Sequence, residues 1–190
     1  MSGETGRLAE RRVVLGVCGG IAAYKAAALT SKLVQAGAEV RVLMTRSAKR
    51  FVGPLTFESL SGRAVATSQW EGREDRSSEH VAAARWAELV VIAPATANTI
   101  AKIAGGFAED AVTTTVLALP RETPVLFVPA MNAEMWGSPI TQKNVGVLEG
   151  DLGWKRVGPD EGWQACRTEG AGRMSEPDEI FEAACGALGQ

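Results

Sequence analysis

A doubly wound α/β sheet, parallel and covered by helices on both faces, is the fold class predicted by three features of the sequence. Leu89-Val90-Val91-Ile92-Ala93 is an unbroken apolar run, as a strand buried on both faces of a parallel sheet shows. Val13-Val14-Leu15-Gly16-Val17-Cys18, Val40-Arg41-Val42-Leu43-Met44 and residues 124–128 are further strand-like runs. Helical stretches separate these runs, so each strand–helix–strand unit needs a right-handed crossover.

Taken in order, residues 1–11 are polar and charged and predict a loose leader ahead of one domain over 12–188. The first strand ends in Gly19-Gly20. A helix follows from about Ile21, with Leu29, Leu33 and Val34 on its inner stripe and Gly37 as its stop. The second strand runs into Thr45-Arg46-Ser47. Residues 54–60 predict a short helix, and 68–79, the most polar internal stretch, an exposed loop. His80 opens a helix through Trp86 that leads into the central run. That run stops at Pro94, so Thr96, Asn98 and Thr99 stand where open α/β sheets bind their ligands. Residues 111–119 predict a helix despite the weak propensity of Thr113-Thr114-Thr115, and 139–148 another. Residues 158–172 carry Gly158, Gly162, Gly170 and Gly172, which predicts a mobile loop rather than an element. Ser175-Glu176-Pro177-Asp178 has the form of a capping box opening the final helix. There is no internal repeat and no sign of a second domain.

The chain has 190 residues, enough for one domain with a sizeable core. Hydrophobic residues make up 46% and charged residues 22%, an ordinary globular balance. A net charge of −2 with no basic block excludes an electrostatic nucleic-acid footprint. No run approaches the roughly 18 apolar residues of a membrane span, and no signal peptide precedes the first strand, so a cytoplasmic location is expected. Cys18, Cys166 and Cys185 are odd in number and lack Cys-x-x-Cys spacing, so neither a disulfide framework nor a metal site is expected.

Several residues admit both a plain and a chemical explanation. Gly19-Gly20 fits a tight turn or the close approach of a helix N-terminus to a phosphate or ring. No full G-x-G-x-x-G is present, which argues against a nicotinamide dinucleotide. Thr45 and Ser47 flank Arg46 and suit a single phosphate or simply a turn. Thr96 or Asn98 suits a helix N-cap or a ligand contact. His80 is the one histidine; a surface polar residue and an acid–base group with an unperturbed pKa near 6.5 are both open. Asn132 follows a strand end and fits a turn. It also fits an amide that holds a carboxylate without an opposing full charge. Met135 and Trp136 fit core packing or a substrate wall.

Two motifs go further. Pro94-Ala95-Thr96-Ala97-Asn98-Thr99 resembles the flavin-binding motif of the homo-oligomeric flavin-containing cysteine decarboxylases. Pro129-Ala130-Met131-Asn132-Ala133-Glu134-Met135-Trp136 is similar to a second motif of that family, Pro-x-Met-Asn-x-x-Met-Trp, at every specified position. The resemblance extends from about Arg12 to about Glu176. It implies a flavodoxin-like Rossmann domain, FMN as cofactor, and a homo-oligomer, a trimer or a dodecamer. It places FMN contacts on Gly19, Gly20, Ile21, Thr45, Ser47, Pro94, Ala95, Thr96, Asn98, Thr99, Ala130 and Met131. Catalysis falls to His80, Asn132 and Cys166, and substrate contacts to Asn132, Met135 and Trp136. Cys166 lies in a glycine-rich flap that implies a substrate clamp and a proton donor. Arg167 and Arg173 on that flap are candidate partners for a substrate phosphate.

The implied reaction oxidises a C-terminal cysteine to a thioaldehyde, which lets the carboxylate leave as CO₂ and its electron pair enter an enethiolate. The first reading is the branch acting on 4′-phosphopantothenoylcysteine in coenzyme A biosynthesis, which re-reduces the enethiol. Since the chain ends soon after the flap, a separate protein is then expected to attach the cysteine. The second is a decarboxylase of peptides ending in cysteine. The coenzyme A branch carries Cys-Gly-Asp where this chain has Cys166-Arg167-Thr168, a departure that bears on substrate choice. A flavin-binding regulator without catalysis is a third reading, disfavoured by the short C-terminus. A prenylated-flavin synthase is not suited by Asn132 and the Met-Trp ending.

Overall fold

A computed structural model describes residues 6–69 and 79–189. The first half runs β1 (Arg12–Val17), α1 (Ala23–Gln35), β2 (Glu39–Met44), α2 (Pro54–Ser61) and α3 (Glu79–Trp86). Then come β3 (Leu89–Ala95), α4 (Ala97–Ala104), α5 (Ala111–Leu117), β4 (Val125–Pro129), α6 (Ala133–Gly137) and α7 (Pro139–Gly146). The chain closes with β5 (Lys155–Arg156), β6 (Asp160–Trp163), β7 (Glu169–Arg173) and α8 (Pro177–Ala187). Five strands form a parallel sheet in the order β2-β1-β3-β4-β5.

Side-chain alternation sorts the core into two layers. Val13, Leu15 and Val17 of β1 face one cluster with Leu29 and Leu33 of α1, Phe57 of α2, and Ile180 and Phe181 of α8. Val14, with Val90 and Ile92 of β3, faces the other, with Ile100 of α4, Val112 and Val116 of α5, and Val145 of α7. Both faces are apolar because both are covered, as a parallel sheet demands. Truncating Leu15, which is wholly buried, to Ala would cost about 2–5 kcal/mol. Gly16 is needed where it stands: a Cβ there would come 2.9 Å from Val112 Cγ1, so α5 could not lie so close to β1.

Several local expectations need correction. The leader is not loose over residues 6–11. Leu8 is fully buried, Leu8 N–H donates to Ala36 O at 2.9 Å, and Arg7 forms a double contact with Glu182 at 2.7 and 3.1 Å. A buried apolar side chain, a backbone bond to the end of α1 and an ion pair to α8 together anchor the polar stretch. β3 does not end at Pro94 but continues through Ala95, all seven residues buried. Alternation breaks instead, with a register shift between Ile92 and Ala95 that turns Ala95 to the Ile92 face. Residues 158–172 are not a formless loop, since β6 and β7 pair as an antiparallel hairpin. The final helix has no capping box: its N-cap is Glu176, and Ser175 Oγ donates instead to Asp160 Oδ1 at 2.8 Å. The helix expected over 111–119 ends at Leu117, and a capping box of Asp110 and Thr113 at its start outweighs the threonine propensity. α1 begins at Ala23 rather than at Ile21, and the edge strand β5 is an addition. The expected polar loop lies outside the described residues for 70–78. Among the described residues no helix is long and apolar enough to cross a membrane.

Candidate active site

Loops at the carboxyl ends of β1, β2 and β3 converge. Gly19 touches the second-strand loop so closely that a Cβ would stand 2.3 Å from Ser47 Cβ and 2.8 Å from its carbonyl carbon. Any larger residue would drive the two loops apart. A Cβ on Gly20 would lie 3.7 Å from Thr96 Cγ2, in ordinary contact, so the three loops share one edge. Thr45 is buried and its Oγ1 accepts from Ala48 N–H at 3.2 Å, which shapes the turn and leaves Ser47 exposed. Ile21 is 60% exposed beside them, an apolar rim that the interior does not use.

Thr96 caps α4. Its Oγ1 accepts from Thr99 N–H at 3.3 Å and lies 3.1 Å from Thr99 Oγ1. The plain N-cap explanation therefore holds for Thr96, while Asn98 points into solvent. Pro94, Ala95 and Thr99 are buried scaffold. Beneath them Cys18 is buried, which pushes its thiol up to about 12 despite a hydrogen bond with Thr99. Cys18 is thus a neutral packing group.

The second motif meets the hairpin. Ala130 N–H donates to Ala95 O at 3.0 Å, and Met131 N–H donates to Gly172 O at 2.9 Å. A Cβ on Gly172 would sit 2.4 Å from Met131 O, and one on Gly170 2.8 Å from Ala133 Cβ. Those glycines permit close approach of the hairpin to the second motif. Gln164, almost fully buried, ties the two together. Its Oε1 accepts from Ala133 N–H at 3.0 Å, and its Nε2 donates to Ala171 O at 3.1 Å.

Asn132 and Cys166 meet across this junction. Asn132 Oδ1 accepts from Met135 N–H at 2.9 Å as the N-cap of α6, which fixes the amide and turns Nδ2 outward as a donor. Cys166 Sγ lies 3.9 Å from that Nδ2, 3.0 Å from Thr168 Oγ1 and 3.5 Å from Gln164 Oε1. The Thr168 hydroxyl, helped by Asn132, holds the exposed thiol below the usual cysteine range. Arg167, in the left-handed conformation at φ 65°, ends the hairpin in solvent. Arg173 is engaged by Glu176, which also pairs with Lys25 Nζ at 3.0 Å. Met135 is exposed. Trp136 packs on the second core cluster with Arg156 5.4 Å above its ring, which favours the packing explanation.

His80 stands apart. It lines a small cavity with Leu43 of β2, Ala66, Gln69, Ala111 and Thr115. Among the described residues no contact joins it to Asn132 or Cys166. β2 and β4 are three strand spacings apart, roughly 14 Å across the sheet. Gln164, Thr168 and Thr115 were missed in the sequence. Thr168 was visible as a departure from Cys-Gly-Asp, whereas Gln164 and Thr115 carry no local signal.

Small and hydroxyl residues at one edge of a parallel sheet, beside a thiol on a docked hairpin, define a Rossmann-like α/β protein with a ligand site at its strand ends. The chain matches the Flavoprotein family over residues 1–189 and belongs to it. It is 50% identical over 177 residues to the coenzyme A biosynthesis bifunctional protein CoaBC of Bacillus subtilis (strain 168), covering 93% of this chain and 43% of that one. To the protein of the same name from Escherichia coli (strain K12) it is 45% identical over 179 residues, again 93% and 43%. The chain therefore spans less than half the length of these relatives. Among solved structures it resembles a PPC decarboxylase mutant complexed with pantothenoylaminoethenethiol. The TM-score is 0.84 at 31% identity, over 95% of this chain and 100% of that one. It also resembles the FMN-dependent cysteine decarboxylase SpaF, with a TM-score of 0.80 at 36% identity, over 95% and 97%.

Proposed function

We propose that this flavoprotein domain, over 12–188, is an FMN-dependent cysteine decarboxylase whose substrate is 4′-phosphopantothenoylcysteine. The observation that carries it is the fixed pair Asn132–Cys166 beside the glycine and hydroxyl edge, in a chain half identical to CoaBC. The edge fits FMN. Glycine backbone at Gly19-Gly20 and the exposed Ser47 suit its single phosphate, and Ile21, Asn98, Ala130 and Met131 suit a ring. Bound FMN supplies the acceptor, and later the donor, of the substrate's hydride.

This chain's residues supply position and protons. Asn132, its Oδ1 occupied, offers Nδ2–H to the carboxylate and holds it without a counter-charge that would oppose CO₂ loss. Cys166 stands beside that amide and donates a proton to the product carbon. The hairpin, docked through Gln164 and Gly172, keeps the thiol beside the amide. His80 handles the substrate's proton as an acid–base group. Its separation from Asn132 within one chain supports a homo-oligomer, a trimer or a dodecamer, in which a neighbouring copy brings His80 to the pair. A cytoplasmic setting suits a small-molecule pathway and a reduced Cys166.

Mass spectrometry of products from phosphopantothenoylcysteine, its dephosphorylated form and a short peptide ending in cysteine tests the reading. Arg167 is the cation at the hairpin tip available to the phosphate, so loss of that group should lower kcat/KM about 10- to 150-fold, one charge-assisted contact. Equal use of both pantothenoyl compounds with faster use of the peptide would reverse the assignment. Arg167-Thr168, standing where the coenzyme A branch carries Gly-Asp, favours that second reading.

A further inference from the structure

We propose that Thr115 is a positioning residue for His80, acting through one ordered water molecule in the cavity between α3 and α5. The inference rests on His80 being the acid–base group. Among the described residues, His80 Nδ1 and Thr115 Oγ1 are the buried side-chain nitrogen and oxygen atoms without a hydrogen-bond partner. Both residues line the same cavity of about 10 Å³, otherwise walled by Leu43, Ala66 and Ala111 together with Ser68, Gln69 and Glu79. Thr115 is 1% exposed, and its hydroxyl does not turn back to the carbonyl four residues before, as a helical threonine can. Two orphaned polar atoms on residues that line one space of about one water-sized sphere form the arrangement that a buried water resolves.

Water can satisfy both at once, accepting from Nδ1–H and donating to Thr115 Oγ1. A proton held at Nδ1 leaves the lone pair on Nε2, the nitrogen outside this contact. When Nε2 takes a proton, Nδ1–H still donates to the same water, so neither protonation state leaves a buried atom unpaired. The bridge holds the ring in one orientation, and the proton sits on Nδ1 because acid–base work requires the lone pair on Nε2. Gln69, also on the cavity wall, is held by Thr114 Oγ1 at 2.9 Å, which keeps the wall in place. Of the described charged groups near α3, Glu79 shares the lining, and Arg41 stacks 4.3 Å over Trp86 at the far end of the helix.

The chain's one histidine makes the test direct, because ¹⁵N-histidine labelling of the FMN-loaded protein yields a single imidazole signal. The unsubstituted protein should show the Nδ1–H tautomer. Thr115→Val, which removes the hydroxyl at nearly constant volume, should shift the population toward Nε2–H, and Thr115→Ser should restore it. Decarboxylation kcat/KM should fall about 2- to 12-fold in Thr115→Val, the worth of one neutral hydrogen bond, with FMN content unchanged. Thr115→Ala serves the same purpose if valine does not fold. A tautomer and a titration of His80 identical in Thr115→Val and the unsubstituted protein would overturn the proposal. Full turnover in His80→Asn would instead remove the acid–base reading beneath it, and the two failures are distinct because the imidazole signal is read without turnover.

Discussion

The Asn132–Cys166 junction and the His80–Thr115 cavity treat their polar atoms in opposite ways. At the junction one chain suffices: Asn132 is capped onto α6, Gln164 bonds both sides, and the thiol lies within 4 Å of three polar groups. In the cavity two buried atoms have no protein partner. A buried polar atom left unpaired costs about 1–3 kcal/mol, so the cavity is where an added molecule has most to contribute. The junction is tied within the chain, and the histidine side leaves two polar atoms for an added molecule to pair.

The largest expected effect comes from breaking the histidine side. His80→Asn keeps size and polarity but removes the titrating group, so turnover should fall by about 10²- to 10⁴-fold while FMN stays bound. Stopped-flow CO₂ release and flavin absorbance check the two halves. Mixing His80→Asn with Cys166→Ser protein should recover part of the activity if the two residues act across copies. No recovery after subunit exchange would place both within one chain's own site.

Breaking the junction should cost less. Gln164→Leu keeps the volume but orphans Ala133 N–H and frees two hairpin carbonyls. One buried unpaired donor, worth about 1–3 kcal/mol, predicts a drop in kcat/KM of about 5- to 150-fold, mostly in KM. An unchanged KM would mean that the hairpin docks through Gly172 alone.

The contrast also tracks what was legible in the sequence. The apolar runs of β1 to β4 read correctly because burial on both faces leaves a local mark. Asn132 and Thr96 stood out because their neighbours in the chain are also their neighbours in space. The hairpin did not, because Gly170 and Gly172 looked like freedom when they serve contact with Met131 and Ala133, far away in the chain. Thr115 was invisible for the same reason: its relation to His80 exists only once α5 lies beside α3. The capping boxes show a subtler limit. Ser175 matched the pattern but was drawn to Asp160, whereas Asp110 works with Thr113 at the third helical position instead of an acidic residue.

That Asp110 cap permits a smaller test of the histidine side. Its Oδ1 accepts from Val112 and Thr113 N–H at 3.0 and 2.9 Å and so starts the helix that carries Thr115. Asp110→Ala should lower stability by about 1 kcal/mol in thermal unfolding. Alkylation of Cys166 should be unaffected if the two regions are independent. A slower alkylation rate would show that they are coupled.

The smallest effect concerns the thiol itself. Cys166 is the one exposed cysteine, since Cys18 and Cys185 are buried, so iodoacetamide reads it selectively. The Thr168 hydroxyl, the largest influence on this thiol, stabilises the thiolate and lowers its pKa from the ordinary value of 9.0. The sign follows directly: removing that donor must raise the pKa, so Thr168→Ala should slow alkylation at pH 8, where less thiolate is present. A proton donor must be protonated to act, so the alkaline fall of the enethiol-reducing step should move to higher pH in the same variant. Both shifts should be modest, because the thiol is open to water that takes over part of the lost hydrogen bond. Alkylation and product profiles measured across pH 6–10 should therefore move in parallel. If alkylation shifts while the profile of enethiol reduction stays fixed, the proton comes from another group, and the role of Cys166 reduces to holding the substrate beneath the hairpin.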